Sequence, residues 1–357
     1  MKTYLKYLIK IFLKSFAYVS LVMFSLIFII NLLSELDFFK EINISSTFAL
    51  QLAFLNAPSL IFEIFPFIFL ISTQFFFINL FNNNEIQIFK YSGLKNTRIL
   101  SIIIITTFAL GFFIVLFFYN FSSSLKKIYL ELKSSYTSDG KYLAVITKNG
   151  LWIKDKVDNK NLIVNSNKLE KNLLVDAFIV ELNEEFESIR AIKSNKIDIL
   201  NKDWIIYNAE IFENNNKINK ETIFIKTNFD YNRIQSLFSN LSALSFKELF
   251  ELKENYKSLN YSTTKVNIQI QKLISFPIYI TLMTILSAVI MFNTKNFQSY
   301  TLKVAIGFFL SVIVYYFNNF FNALGITEKI SYNSSIWVPL ILLSIINLFV
   351  MRNINEK

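Results

Sequence analysis

The chain has 357 residues, 53% of them hydrophobic and 17% charged, with a mean hydropathy of +0.42 and a formal net charge of +10. A soluble chain carries about 25% charged residues, so this composition excludes an ordinary soluble globular protein. With neither Cys nor His, the sequence excludes disulfides, thiolate or imidazole metal sites, thiol nucleophiles and His-dependent triads, and most hydrolase chemistry goes with them.

In chain order, Lys2, Lys6, Lys10 and Lys14 lead into an apolar run from Phe16 to Ile30. Asn31, Leu32, Leu33, Ser34 and Glu35 follow it, with no small-residue cleavage site, so the run reads as an uncleaved first span near 12–33. A second span is expected near 58–81 and contains Glu63 between Pro58 and Pro66. This is the one acid lying clearly within the apolar length of a span. It is read either as a group satisfied by neighbouring helices or water, or as part of a polar passage.

The connection Asn82–Arg98, NNNEIQIFKYSGLKNTR, places Asn82 to Asn84 as a helix cap, a short helix at Glu85–Tyr91, and Gly93 as its stop. Two readings stay open for a helix this short: it lies on the lipid surface, or it inserts into a nucleotide-binding partner. A third span follows near 99–121.

Residues 126–262 are compositionally distinct, with 21 Lys and Arg against 19 Asp and Glu. Apolar and β-branched stretches recur there at Tyr142–Ile146, Leu151–Val157, Leu173–Leu182, Ile189–Leu200, Trp204–Phe212 and Glu221–Phe229. Several alternate, which predicts an all-β sandwich or barrel. A helix is expected over 245–258, opened by the capping-box pair Ser245 and Glu248. Lys265 to Lys272 reads as interfacial. Spans four, five and six are placed near 273–292, 303–324 and 335–351, the fourth kinked at Pro277. The fold class is therefore a six-span α-helical polytopic membrane protein with an inserted all-β domain, divided as 1–125, 126–262 and 263–357.

Lysine and arginine set the orientation. With the N-terminus in the cytoplasm, the inner connections and termini collect 11 cations against Glu85 and Glu356. The outer short connections hold Lys40 and Lys329 against Glu35, Asp37, Glu41 and Glu328. Both termini are thus expected inside and the β domain outside. The basic balance is a topology signal, and the mixed charges of the β domain offer no basic face for nucleic acid. There is no P-loop, since Gly140 and Lys141 are followed by Tyr142 and Ser135 stands where the motif needs its first glycine.

Several segments in this order carry a resemblance: NLLSELDFF closing the first span, APSLIFEIFPFIFL in the second, NNNEIQIFKYSGL, GLWIKD at 150–155, DWIIYNAEIF at 203–212, LSFKELFELKENY, and WVP at 337–339. Together they resemble the LptF/LptG lipopolysaccharide export permeases along essentially the whole chain, and NLLSELDFF leans towards LptG. The resemblance implies a non-catalytic permease subunit in the bacterial inner membrane and a periplasmic jellyroll-like domain. It implies an LptB-like ATPase dimer that uses ATP and Mg, a second LptF/LptG-type subunit, LptC-like and LptA-like jellyroll partners, and lipopolysaccharide as substrate. No cofactor, metal or catalytic residue is expected on this chain.

Under that resemblance Glu85, Ile88, Phe89, Tyr91 and Gly93 are the ATPase-coupling residues. Spans one and five form the lateral gates and the paired-subunit contact. Lys40 and Lys272 are candidates for lipid phosphates, and Phe24, Phe28, Phe309 and Phe320 for acyl chains. Lys90 and Tyr91 depart from the Arg and small residue that the family pattern leads one to expect. Two other readings compete, a secondary transporter of another hydrophobic substrate and a membrane-anchored envelope assembly or sensor protein. The lone Glu63 and the missing inverted repeat count against the first, and six spans against the second.

Overall fold

The computed structural model describes residues 3–40, 45–134, 136, 151–157, 160–170, 172–213, 216–231, 234, 240–258, 261–293 and 299–351. It divides into two compact units, residues 1–126 with 264–357, and residues 127–263.

The first unit contains six helices long and apolar enough to span a membrane. They are α1 (Thr3–Phe38), α2 (Ser46–Asn82), the stretch from α4 (Asn96–Phe113) into α5 (Asn120–Ser134), α7 (Thr264–Asn293), α8 (Tyr300–Ile326) and α9 (Tyr332–Met351). Each extends beyond its expected apolar run, because polar turns at the ends continue the same backbone hydrogen-bond ladder. The short α3 (Glu85–Tyr91) joins α2 to α4. Between α4 and α5, residues Ile114–Tyr119 form a π-helical segment, so one helical path runs through an inserted wide turn.

Burial sorts these helices into centre and rim. In α7, 72% of the apolar window is buried and in α2 61%, against 11% in both α1 and α8. The centre is knit by rings: Phe62 of α2 stacks on Phe276 of α7 with centroids 4.7 Å apart, and Phe77 meets Phe292 edge-on at 5.0 Å. Small residues bring backbones together at two crossings. A β-carbon on Gly111 would lie 2.7 Å from the Cα of Pro277, and one on Gly307 2.0 Å from Nε2 of Gln74. Side chains also reach across to backbone carbonyls: Ser287 Oγ donates to Leu70 O at 2.7 Å, Gln74 Nε2 to Lys303 O at 2.9 Å, and Asn347 Nδ2 to Leu282 O at 3.0 Å. With no water in the hydrocarbon layer, these bonds satisfy polar groups that would otherwise carry a desolvation cost.

The stretch Lys265 to Lys272, read as interfacial, is the opening of α7, with Val266, Ile270 and Leu273 buried on one helical face. The asparagine cap of α3 is not made by a side chain of Asn84, whose backbone is left-handed at φ 56°; its carbonyl instead accepts from Gln87 N and Ile88 N.

The second unit is built on one six-stranded antiparallel sheet in which each strand lies beside its sequence neighbour: β1 (Leu151–Val157), β2 (Lys160–Glu170), β3 (Leu173–Leu182), β4 (Ser188–Asp198), β5 (Asp203–Glu213) and β6 (Asn216–Lys226). Alternation puts Leu151, Ile153, Val164, Ile179, Ile192, Trp204 and Ile206 on a buried face. The strand expected at Tyr142–Ile146 lies outside the described residues. Strand β2 was not expected, because Asn161, Asn165, Ser166 and Asn167 make it read as a linker. In the sheet its buried Ser166 is satisfied by donating to Val175 O at 2.8 Å. After β6 the chain returns to β1, where the buried Asp155 accepts from Asn228 N at 2.8 Å, Asn228 Nδ2 at 2.9 Å and Lys156 N at 2.8 Å. Helix α6 (Phe246–Ser258) opens with the expected capping box, Ser245 N donating to Glu248 Oε2 at 2.7 Å and Glu248 N to Ser245 Oγ at 3.3 Å.

Candidate functional site

Two groups of polar side chains stand out in the first unit, and the first surrounds α3. The sequence fixes this helix at both ends. At its start Asn83 and Asn84 break the path of α2, and at its end Gly93 takes φ +80°, a left-handed conformation suited to glycine. Ile86 is buried and pins the helix, leaving Ile88 58% and Tyr91 90% exposed on its free side.

An open groove of about 500 Å³ runs beside it, lined by Thr3, Tyr4 and Tyr7 of α1 and by Asn83, Glu85, Ile88 and Phe89. Tyr7 donates its hydroxyl to Glu85 Oε1 at 2.7 Å, and Asn83 Nδ2 approaches the same oxygen at 3.3 Å. Glu85 Oε2 is screened from water and has no hydrogen-bond partner among the described residues. A carboxylate with one oxygen held by Tyr7 and the other covered and unpaired, walled by aromatic rings, can take a cationic side chain once the groove side chains shift to uncover Oε2.

The structure therefore brings Glu85, Ile88 and Phe89 to one groove, while Tyr91 and Gly93 lie on the helix but outside its lining. Tyr4 and Tyr7 went unnoticed in the sequence. Their signal was positional: Lys6, Lys10 and Lys14 form an exposed i, i+4 stripe, and the tyrosines fall on the neighbouring face, with Leu8 and Phe12, that turns towards α2.

The second group lies on α1, α2, α5 and α7. Asn31 and Asn56 are both buried; Asn31 Nδ2 donates to Ala53 O at 2.9 Å and Asn56 Nδ2 to Asn31 Oδ1 at 2.9 Å. Lys126 Nζ donates to Asn56 Oδ1. Two helical turns further along α2, Glu63 interacts electrostatically with both Lys126 and Lys272. Of the residues singled out for lipid phosphates, Lys272 thus belongs to a charged cluster, whereas Lys40 stands exposed in the turn after α1. The cluster members Asn31, Asn56 and Lys126 went unremarked because each has an ordinary neighbourhood in sequence.

The acyl-chain candidates are not gathered by one chain. Phe24 and Phe28 stack on each other along α1 with centroids 6.3 Å apart, while Phe309 and Phe320 of α8 are 66% and 59% exposed. Among the described residues no ring contact joins the two pairs. Helix α1 packs on α2 and α4, and α8 packs on α2, α7 and α9.

No curated protein matches the chain. A family model does: residues 6–353 match the lipopolysaccharide export system permease LptF/LptG. With six apolar helices, an inserted antiparallel β unit and a match over nearly its full length, the chain belongs to the LptF/LptG permease family.

Proposed function

We propose that this chain is the transmembrane permease subunit of an ABC transporter that extracts lipopolysaccharide from the inner membrane and passes it to a periplasmic bridge. Both termini and α3 face the cytoplasm, as the distribution of lysine and arginine favours, and the β unit faces the periplasm. An LptB-like ATPase dimer docks on α3, using Glu85, Ile88, Phe89 and Tyr91, with Gly93 setting the turn that ends the helix. ATP and Mg are used by that partner. The poorly buried helices α1 and α8 meet a second LptF/LptG-type subunit, and the rings of Phe24, Phe28, Phe309 and Phe320 line the acyl-chain cavity between the subunits. Lys272, with Lys126 beside it, and Lys40 contact lipid phosphates. LptC-like and LptA-like jellyrolls continue the path from the β unit.

The observation that carries this reading is the half-satisfied Glu85 carboxylate beside an open groove on a short helix between two spans. The test is Glu85→Lys in the intact chain. ATPase co-purification, or lipid released per ATP, should fall at least about tenfold, since reversing one member of a desolvated ion pair leaves two like charges facing each other. Glu85→Gln should lose less. Unchanged assembly and transport in Glu85→Lys would return α3 to being a helix that merely lies on the membrane surface.

A further inference from the structure

The Tyr7 hydroxyl and the Glu85 carboxylate are 78 positions apart in the chain, and their bond at 2.7 Å ties the second turn of α1 to the first turn of α3. The two helices it joins are held in different ways. Helix α3 is pinned through buried Ile86 and its closing turn. Helix α1 is among the least buried spans, yet it meets α2 more extensively than any other two helices of the unit meet, through Leu8, Phe12 and Val19 and the buried Asn31–Asn56 pair, with Phe12 edge-on to Phe76 at 5.9 Å and Phe16 against Phe69 at 4.7 Å. A displacement of α3 against the N-terminal end of α1 meets this bond first, so the phenol is placed to register it.

The bond also acts on the carboxylate itself. A glutamate in a first helical turn has three rotatable side-chain bonds and no fixed aim. Here Oε1 is occupied by Tyr7, so Oε2 is left screened and unpaired beside the groove wall. The carboxylate plane is thereby set before any partner arrives, which lowers the ordering cost of an incoming ion pair.

We propose that Tyr7 is a positioning residue: its hydroxyl aims Glu85 at a cationic side chain of the docked partner and, through the same bond, couples the seating of that partner on α3 to the position of α1. This rests on the reading of α3 as the ATPase-docking helix. It adds that docking is felt directly by the first span, without passing through the core of the bundle. Tyr7 is 43% exposed, so removing its hydroxyl leaves no cavity.

The experiment uses the full chain assembled with its partner permease and ATPase, in vesicles carrying lipopolysaccharide. Tyr7→Phe should lower lipid released per ATP by about two- to ten-fold, the range spanned by one net hydrogen bond, with the KM for ATP unmoved. Combined with Glu85→Gln, it should add little further loss, because Tyr7 acts through the carboxylate charge that the amide has already removed. Wild-type coupling in Tyr7→Phe overturns the proposal, and so does a loss that adds in full to that of Glu85→Gln. The underlying reading is separated by Glu85→Lys. If that reversal leaves co-purification and transport intact, the docking reading falls and takes this proposal with it. If the reversal is disruptive while Tyr7→Phe matches wild type, only the role of Tyr7 falls.

Discussion

Of the glycines at helix crossings, Gly111 and Gly307 make different demands. Beside Gly111 stands the backbone of Pro277, which cannot yield without moving α7; beside Gly307 is the far end of the Gln74 side chain, which can swing away. Gly111→Ala should therefore destabilise the chain by about 1–3 kcal/mol through overpacking. Gly307→Ala should cost less, about 1 kcal/mol, chiefly by breaking the bond from Gln74 Nε2 to Lys303 O. Thermal unfolding in detergent micelles measures the order. If Gly307→Ala is the more damaging of the two, Gln74 is held by more than the bond described. Neither glycine is legible as a contact in the sequence, where each sits in an apolar helix with nothing to name the partner on another span. The same limit applied to Tyr7, whose acceptor is 78 residues away.

At the scale of elements, local rules carried the reading where the pattern was local. Helix α3 was legible to the residue because three asparagines and a glycine bracket it, and α6 because Ser245 and Glu248 have capping-box spacing. Strands β1, β3, β4 and β5 were legible from their β-branched and aromatic stretches, and β6 from the alternation at Glu221–Lys226, although it begins earlier, at Asn216. Strand β2 was not, since asparagine and serine at its centre argue for a linker until neighbouring strands supply their partners. The return of the chain from β6 to β1 was equally hidden, and it hangs on one carboxylate. Asp155→Ala would remove the acceptor of three hydrogen bonds, only Asn228 Nδ2 keeping a second bond to Lys156 O, and the β unit should lose about 2–4 kcal/mol. Urea unfolding of the intact chain, followed by the fluorescence of Trp152 and Trp204, should show an earlier transition. Wild-type stability would mean that water replaces the carboxylate without penalty.

For the whole molecule, charge asymmetry makes the sharpest prediction, which end of the bundle faces which compartment. The chain has no native cysteine, so single cysteines report without background. Asn201→Cys, in an exposed β-unit loop, should react with an impermeant thiol reagent in cells whose outer membrane alone is opened. Ser92→Cys, exposed at the end of α3, should react only after the inner membrane is breached. Labelling of Ser92→Cys in the first condition would invert the topology. The π-helical segment Ile114–Tyr119 carries a consequence at this same scale. Each residue added to or removed from an α-helical path turns everything beyond it by about 100° and shifts it by about 1.5 Å. The wide turn takes up its extra residue locally, so loss of one residue there would let the third span close into a regular helix with Lys126 still turned towards Asn56, whereas the same loss in the regular helix on either side would swing Lys126 away. The π turn is thus the place where this span can absorb a change in residue count, and a single-codon deletion anywhere else along it is a larger structural event than any substitution.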